Sequence, residues 1–410
     1  MNRIFLQRLL LRIARVSKST SGFTLLELLV SAIMAVIMVA TLITFATSIL
    51  ETDRKEQAKV ATQEEIQSAL DYIADDMQEA VYVYDADGIT AITTGTNSTN
   101  KLPTGTDTST GRIRTPVLVF WKRALLDRDS EVTLAIDGTT KLVKCLGVAS
   151  PATDGSNCYG NDQFVYSLVA YYLVKDTTPS TTWSKAARIE RWEVRDGIID
   201  PNCASTATTC TTGARRADGY QTVDTNYYYV LPDTGFVRFD LSAQATSLSG
   251  KMNLWKTNTA ANIAFASYAS RAQALVDFID DTAYGTNQDD GTGSGLLNIP
   301  IRSNATAINT ANNANLDCES NAADSKGSTG LGSVRVPADF SVTNNPTGLT
   351  SFYACVNSRL DRPVARVFIR GNALARLFDN AAFRQIGDAN NSTFIPTSNA
   401  LVFGRSVIVP

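Results

Sequence analysis

The chain has 410 residues, 44% hydrophobic and 19% charged, with 37 Lys and Arg against 40 Asp and Glu and no histidine. That length suits one large domain or two ordinary ones with a sizeable core. The missing histidine excludes Ser-His-Asp and Cys-His catalysis, His-ligated zinc and the commonest general base at neutral pH. No phosphate-loop or dinucleotide glycine pattern stands between a strand and a helix, so the composition points away from an enzyme.

Charge is unevenly distributed. Residues 1–22 carry Arg3, Arg8, Arg12, Arg15 and Lys18 and no acid. The remaining chain holds 32 basic and 40 acidic residues, a net of −8. A mildly acidic body argues against a broad nucleic-acid surface, which needs clustered cations.

The basic stretch ends in small residues, Ser19-Thr20-Ser21-Gly22, and an apolar run follows from Phe23 to Leu50 with one charge, Glu27. As a helix this run is about 42 Å long, enough to cross a bilayer. The basic flank places the N-terminus in the cytoplasm and the body on the far side. A secretory signal has its small-residue junction after the apolar core. Here the junction comes first, so a cut there leaves the span on the mature protein.

The segment Gly22-Phe23-Thr24-Leu25-Leu26-Glu27-Leu28-Leu29-Val30 resembles the processing motif of type IV pilins and type II secretion pseudopilins. The resemblance implies cleavage by a prepilin peptidase between Gly22 and Phe23 and N-methylation of Phe23. It implies that Glu27 pairs with the N-terminal amine of a neighbouring subunit. The implied partners are that peptidase, other major and minor pilins or pseudopilins, and an inner-membrane assembly platform. A lone carboxylate in an apolar run costs several kcal/mol, on the order of 3, unless it is paired or reaches water. The leader is long for the family, and Leu6, Leu9, Leu10 and Ile13 give it an amphipathic pattern.

Past the run, Ile66, Leu70, Ile73, Met77 and Val81 recur every three or four residues among Glu, Gln, Lys and Asp. That spacing predicts one helix from residue 23 to 84, whose second half lays an apolar stripe under a head. No proline interrupts it, which predicts a straight helix. Residues 85–111 read as a Gly/Thr/Asn/Ser-rich loop.

Strands are predicted over Pro116–Trp121, Glu131–Ile136, Lys141–Leu146, Phe164–Val174, Arg188–Val194, Tyr227–Leu231 and Gly235–Leu241. A helix is predicted over Asn262–Asp281, from Ile263, Ala266, Leu275, Phe278 and Ile279. After a low-complexity segment, strands return at Val334–Val336, Phe352–Val356, Val364–Arg370 and Leu401–Val409. The predicted fold class is α+β, a long N-terminal helix packed against an antiparallel β-sheet head. The predicted organisation is a cleaved leader 1–22, an assembly helix 23–50 and its amphipathic continuation 51–84. A β head 85–250 and a C-terminal elaboration or subdomain 251–410 follow. The stretches FVYSLVAYYLVKD and ARIERWEV resemble the tyrosine-rich strand pair of large PilW-like minor pilins. The C-terminal VARVFIRGNALARLF and PTSNALVFGRSVIVP resemble cyanobacterial hormogonium polysaccharide secretion pseudopilins.

Cys145, Cys158, Cys203, Cys210, Cys318 and Cys355 include no Cys-x-x-Cys pair, which argues for disulfides in an oxidising compartment over a zinc site. Short polar loops favour 145 with 158, 203 with 210 and 318 with 355 among the pairings open to six cysteines. No cofactor is expected. Asp277, Asp280, Asp281, Asp289 and Asp290 form an acidic stretch that would suit calcium, though without EF-hand spacing. Tyr171-Tyr172 and Tyr227-Tyr228-Tyr229 would suit sugar stacking but fit strand packing better. Arg215-Arg216 and the later Arg359, Arg362, Arg366, Arg370 and Arg376 would suit DNA or an acidic polysaccharide, against a default of solvated strand faces. The functional expectation is a minor pilin or pseudopilin at a tip or in an initiation complex, serving motility, export or DNA uptake. The competing one is a membrane-anchored adhesin or receptor that uses the helix only as an anchor.

Overall fold

The computed structural model describes residues 22, 24–94, 102–108, 110–136, 139–148, 158, 161–178, 182–199, 221–223, 226–256, 271–282, 334–338, 344–357, 363–378 and 393–405. The chain divides into two compact units, Met1–Arg54 and Lys55–Pro410.

The fold is α+β. Helix α1 (Leu25–Gln78) runs 54 residues without Gly or Pro. Within the first unit its apolar side chains stand exposed, Leu25 at 87% and Val36 and Leu42 near two-thirds. Within the second unit Ala58, Thr62, Ile66, Ala69, Leu70, Ile73, Asp76 and Met77 form a buried stripe at helical spacing. Ile66, Leu70, Ile73 and Met77 are fully buried, each contributing about 1.5–3 kcal/mol of apolar transfer. The helix ends at Gln78, short of the expected residue 84. Ala80-Val81-Tyr82-Val83 instead forms strand β1 (Ala80–Val83), whose β-branched and aromatic side chains are all buried.

The supposed loop 85–111 contains α2 (Ala86–Thr94) and β2 (Gly105–Asp107). Asp85 starts α2 by accepting from the Gly88 N–H at 2.8 Å. Ile89 and Ile92 are the buried anchors that hold this Thr-rich segment helical.

The main sheet also holds β3 (Arg112–Leu125), β6 (Phe164–Asp176), β7 (Ala187–Arg195) and β11 (Gln273–Ile279), in order β1-β3-β6-β7-β11 with β2 beside β3. Every pairing in it is antiparallel. Along Val117–Trp121 and Leu168–Val174 successive side chains are buried without alternation. A sheet covered on both faces reads as a continuous apolar run. A hairpin, β4 (Val132–Ile136) with β5 (Thr139–Val143), lies in the connection from β3 to β6. A small sheet pairs β8 (Ile198–Ile199), β10 (Asn226–Val230) and β9 (Gln221–Val223).

Two further elements differ from expectation. Gly235–Leu241 is an irregular segment beginning in a turn, with Gly235 at φ 87°. It lays Phe236 and Phe239 edge-on against Trp121, joined by Trp255 just past α3 (Leu248–Met252). The expected helix Asn262–Asp281 is, over its described part, the edge strand β11 on β7. Register shifts around Val276 and a left-handed Phe278 (φ 58°) turn Val276 and Ile279 inward. That bulge reproduces a helical spacing of three in a strand. Residues 257–270 lie outside the described residues.

A second antiparallel sheet runs β12 (Val334–Val336), β13 (Phe352–Asn357), β14 (Val364–Arg370), β15 (Thr397–Phe403). It joins the first sheet through main-chain bonds: Asp280 N–H to Arg370 O at 3.0 Å and Asn372 N–H to Phe278 O at 2.8 Å. Val336, Phe352, Val367 and Val402 share one apolar core with Ile66, Leu70, Val119 and Leu173. Gly371 meets the helix closely. A Cβ there would stand 2.6 Å from Ile66 Cδ1 and from Thr62 Cγ2.

Candidate functional site: the helix start and the helix clasp

The motif residues stand at the start of α1. Gly22 is exposed and non-helical; Phe23 lies outside the described residues. Thr24 Oγ1 accepts from the Glu27 N–H at 3.3 Å, while Glu27 Oε2 accepts from the Thr24 N–H at 3.2 Å and its hydroxyl at 3.1 Å. This reciprocal pair is a capping box, with Thr24 as N-cap and Glu27 three residues on. Thr24-x-x-Glu27 before an apolar run is its sequence signature. Glu27 therefore has an intrachain task, satisfying helix-end donors, beside any pairing with a neighbour.

The second constellation was not anticipated at all. Asp76, in the buried stripe of α1, accepts four bonds from three strands. Arg191 of β7 gives Nε at 2.8 Å and Nη2 at 3.1 Å, Lys122 of β3 gives Nζ at 2.9 Å, and Tyr171 of β6 gives its hydroxyl at 2.7 Å. Lys122 also reaches Glu79 at 2.7 Å. Arg191 and Arg195 both hold Glu193, at 2.8 and 2.9 Å. Burial alone would raise the Asp76 carboxyl, but Arg191 and then Lys122 outweigh it and hold it below the usual carboxylate range. Burial likewise opposes ionisation of Glu193, yet Arg195 and Arg191 bring it down to about 2. Burial first, and then Asp76, push the Tyr171 phenol far above its ordinary value. With its lone pairs taken by protein donors, Asp76 is an anchor between helix and sheet. The available signal was an acid beside Met77 inside an apolar stripe, matched by Arg191 and Glu193 on alternate positions of a strand.

Cys145 and Cys158 are disulfide-bonded, with Cα atoms 5.0 Å apart, as the short-loop pairing expects. Cys355 is also disulfide-bonded; Cys203, Cys210 and Cys318 lie outside the described residues. The aspartates of the supposed calcium stretch have separate partners. Asp277 accepts from Ser184, Asp280 binds Arg370 at 2.7 Å, and Asp281 faces Lys175 at 3.4 Å. Asp289 and Asp290 lie outside the described residues, and among the described residues no group of three Asp, Glu or Cys side chains suits a metal.

Tyr171 and Tyr172 are both fully buried and present no ring to a sugar. Tyr228 and Tyr229 are buried as well; the side chain of Tyr227 lies outside the described residues. Arg370 is buried on Asp280 and Thr350. Arg376 bonds Thr62 and Glu65 of α1 and lies 4.3 Å over the Phe278 ring. These two arginines are therefore internal fasteners, not a basic face, because each meets an acid that the sequence sets far away. Arg366 is half-buried; Arg215, Arg216, Arg359 and Arg362 lie outside the described residues.

Comparison with protein-family models, curated proteins and solved structures finds no match to this chain.

Proposed function

We propose that the chain is a minor pilin or pseudopilin, a structural subunit placed at the tip or in the initiation complex of a type IV pilus or pseudopilus. One observation carries this reading. The Gly22-Phe23-Thr24-Leu25-Leu26-Glu27 motif opens a helix that is apolar on every side to Leu50 and then continues into the stripe of an α+β head. Residues 25–50 have the length and hydropathy to cross a membrane. In the proposed life cycle the precursor spans the inner membrane once with its N-terminus in the cytoplasm. Prepilin peptidase cuts after Gly22, Phe23 is methylated, and Glu27 sets register against a neighbour's amine. A head of this size suits an occasional position better than a tightly repeated one. Polysaccharide or DNA are the head's candidate cargo classes, and no catalytic role is assigned.

A two-part experiment tests the reading. Gly22→Leu should leave the leader attached, read by mass spectrometry of the N-terminus, and should abolish incorporation into filaments. Glu27→Gln keeps a capping box, since Gln serves at that position, but removes the charge. It should lower incorporation at least about tenfold, as should Glu27→Ala, by removing a buried ionic contact worth about 3 kcal/mol. Full function of the uncleaved Gly22→Leu protein would instead favour the adhesin or receptor anchored by its helix. Normal assembly of Glu27→Gln would reduce Glu27 to its capping task.

A further inference from the structure

Most arginines of the main sheet meet acids. Arg112 and Arg188 share Asp176, and Arg191 holds both Asp76 and Glu193. Arg123 of β3 and Arg238 of the irregular segment after β10 differ. Among the described residues, neither guanidinium makes a hydrogen bond or an ion pair. Each lies instead on an aromatic ring of β6. Arg123 Cζ stands 3.6 Å from the Phe164 ring centroid, and Arg238 Cζ stands 4.2 Å from that of Tyr166. In the β3–β6 register Arg123 is opposite Tyr166 and Leu125 is opposite Phe164, so Arg123 reaches Phe164 across the diagonal. Phe164 and Tyr166 share one face of their strand, about 7 Å apart.

Both arginines are held in place. The Arg123 N–H bonds the Glu79 carbonyl at 3.1 Å, and its side-chain Nε is buried without an acceptor. On either side of Arg238, the Val237 carbonyl accepts from Trp255 Nε1 at 2.6 Å and Phe239 packs edge-on against Trp121 and Tyr166. Asp196 attracts Arg238 but closes no ion pair with it; Asp196 Oδ1 accepts from the Gly197 N–H at 2.8 Å. Solvent reaches the group, since Arg238 is exposed, Leu125 is 54% exposed and Phe164 is 38% exposed.

We propose that this face of β3 and β6 binds an acidic polysaccharide, with the Arg123 and Arg238 guanidiniums taking its uronate carboxylates. The proposal deepens the reading of the head as the part that meets cargo. A guanidinium laid flat on a ring keeps its in-plane N–H fork open, and that fork takes a carboxylate through two parallel bonds. Because neither charge is used inside the protein, a ligand can take both without breaking an internal contact. The C–H faces of a sugar suit Leu125 and the exposed part of Phe164, while its hydroxyls stay in water. Nucleic acid fits less well. Bases of a single strand stack on open aromatic faces, and here a guanidinium already lies on each ring. Two arginines, on a chain of net charge −8 beyond residue 22, are also few against the roughly 6–10 phosphates that a strong DNA binder contacts.

The test measures binding of oligogalacturonate to the full chain in detergent at low ionic strength, by calorimetry, beside neutral dextran and a single-stranded oligodeoxynucleotide of equal charge. The expected result is binding of oligogalacturonate alone, weakened at least tenfold in Arg123→Gln with Arg238→Gln. Arg128→Gln, which removes an exposed arginine already paired with Asp162 at 2.6 Å, should leave the affinity unchanged. Arg238→Lys keeps the charge without the fork and should still bind at least threefold more weakly. If near-UV circular dichroism shows that the double variant has lost its fold, Arg238→Gln alone carries the test, with at least a threefold loss. No binding of oligogalacturonate, or binding that the arginine variants leave intact, would overturn the site. Equal binding of dextran would overturn the role of the carboxylates, and tighter binding of the oligonucleotide would overturn the choice of a sugar polymer. Each of these failures would leave the Gly22 and Glu27 tests of the pilin reading untouched.

Discussion

The two halves of α1 treat polar groups in opposite ways. Between Leu25 and Leu50 the hydroxyls of Ser31, Thr41, Thr44 and Thr47 bond backbone carbonyls of their own helix, three or four residues back. Nothing in that half selects one side of the helix, since large apolar side chains face outward all round. Such a surface suits an apolar medium, in which only self-satisfied polar groups are tolerated. From Ala58 to Met77 the polar group that matters, Asp76, bonds to three separate strands. An apolar stripe fixes which side is buried but tolerates axial slippage. A carboxylate that must meet Arg191, Lys122 and Tyr171 together does not.

The contrast is broken most severely by Asp76→Ala. It leaves Arg191 buried beside Glu193 alone, with an expected loss of about 3–5 kcal/mol in head stability. Denaturant unfolding of the full chain in detergent, followed by tryptophan fluorescence, would measure it. Membrane insertion should be unchanged. A loss under 1 kcal/mol would mean that the apolar stripe alone sets the helix position.

Acid tests the same contacts without a mutation. Glu193 titrates from its ordinary value near 4.5 down to about 2 when folded. Its contribution, about 3 kcal/mol, is therefore complete above pH 4.5 and lost as pH falls toward 2. Asp76, also lowered, acts in the same direction. Asp196 and Asp281 are raised, by burial first, so their share runs the other way and is lost as pH rises. The head should hold its stability on mild acidification and lose it below about pH 4. Equal stability at pH 3 and pH 6 would contradict the ionic anchor.

The smallest effect sharpens the picture of the stripe. Gly371→Ala places a methyl against Ile66 and Thr62. It should cost about 1–3 kcal/mol by overpacking, partly recovered in Gly371→Ala with Ile66→Val. Unfolding curves of the two variants check this, and no cost for the single variant would show that the helix can shift there.

Much of this architecture was legible from local pattern. The span, the stripe and the long central strands follow from runs of apolar residues whose spacing is local. The strand at Gln273–Ile279 was not legible, because its bulge mimics helical spacing and only the hydrogen bonds to β7 reveal it. The helix at Ala86–Thr94 was hidden by threonine and glycine, which lower propensity without preventing a segment anchored by Ile89 and Ile92. At the helix start, Gly22 and Glu27 were readable and the partner Thr24 was written beside them. The clasp left only a partial signal, the acid Asp76 inside an apolar stripe, and its partner could not be paired from local pattern, since Asp76 and Arg191 are 115 residues apart and meet only once the sheet exists.

The Thr24 cap also has a consequence for timing. An N-cap residue marks where the helical hydrogen-bond ladder begins, so the peptide groups before it have no place in that ladder. Peptidases act on backbone that can be drawn out straight, and a helix resists them. α1 accordingly begins at Leu25, with Thr24 as its cap and Gly22 exposed and outside the ladder. Under the processing proposed above, a cut on the N-terminal side of Thr24 would remove no turn of α1.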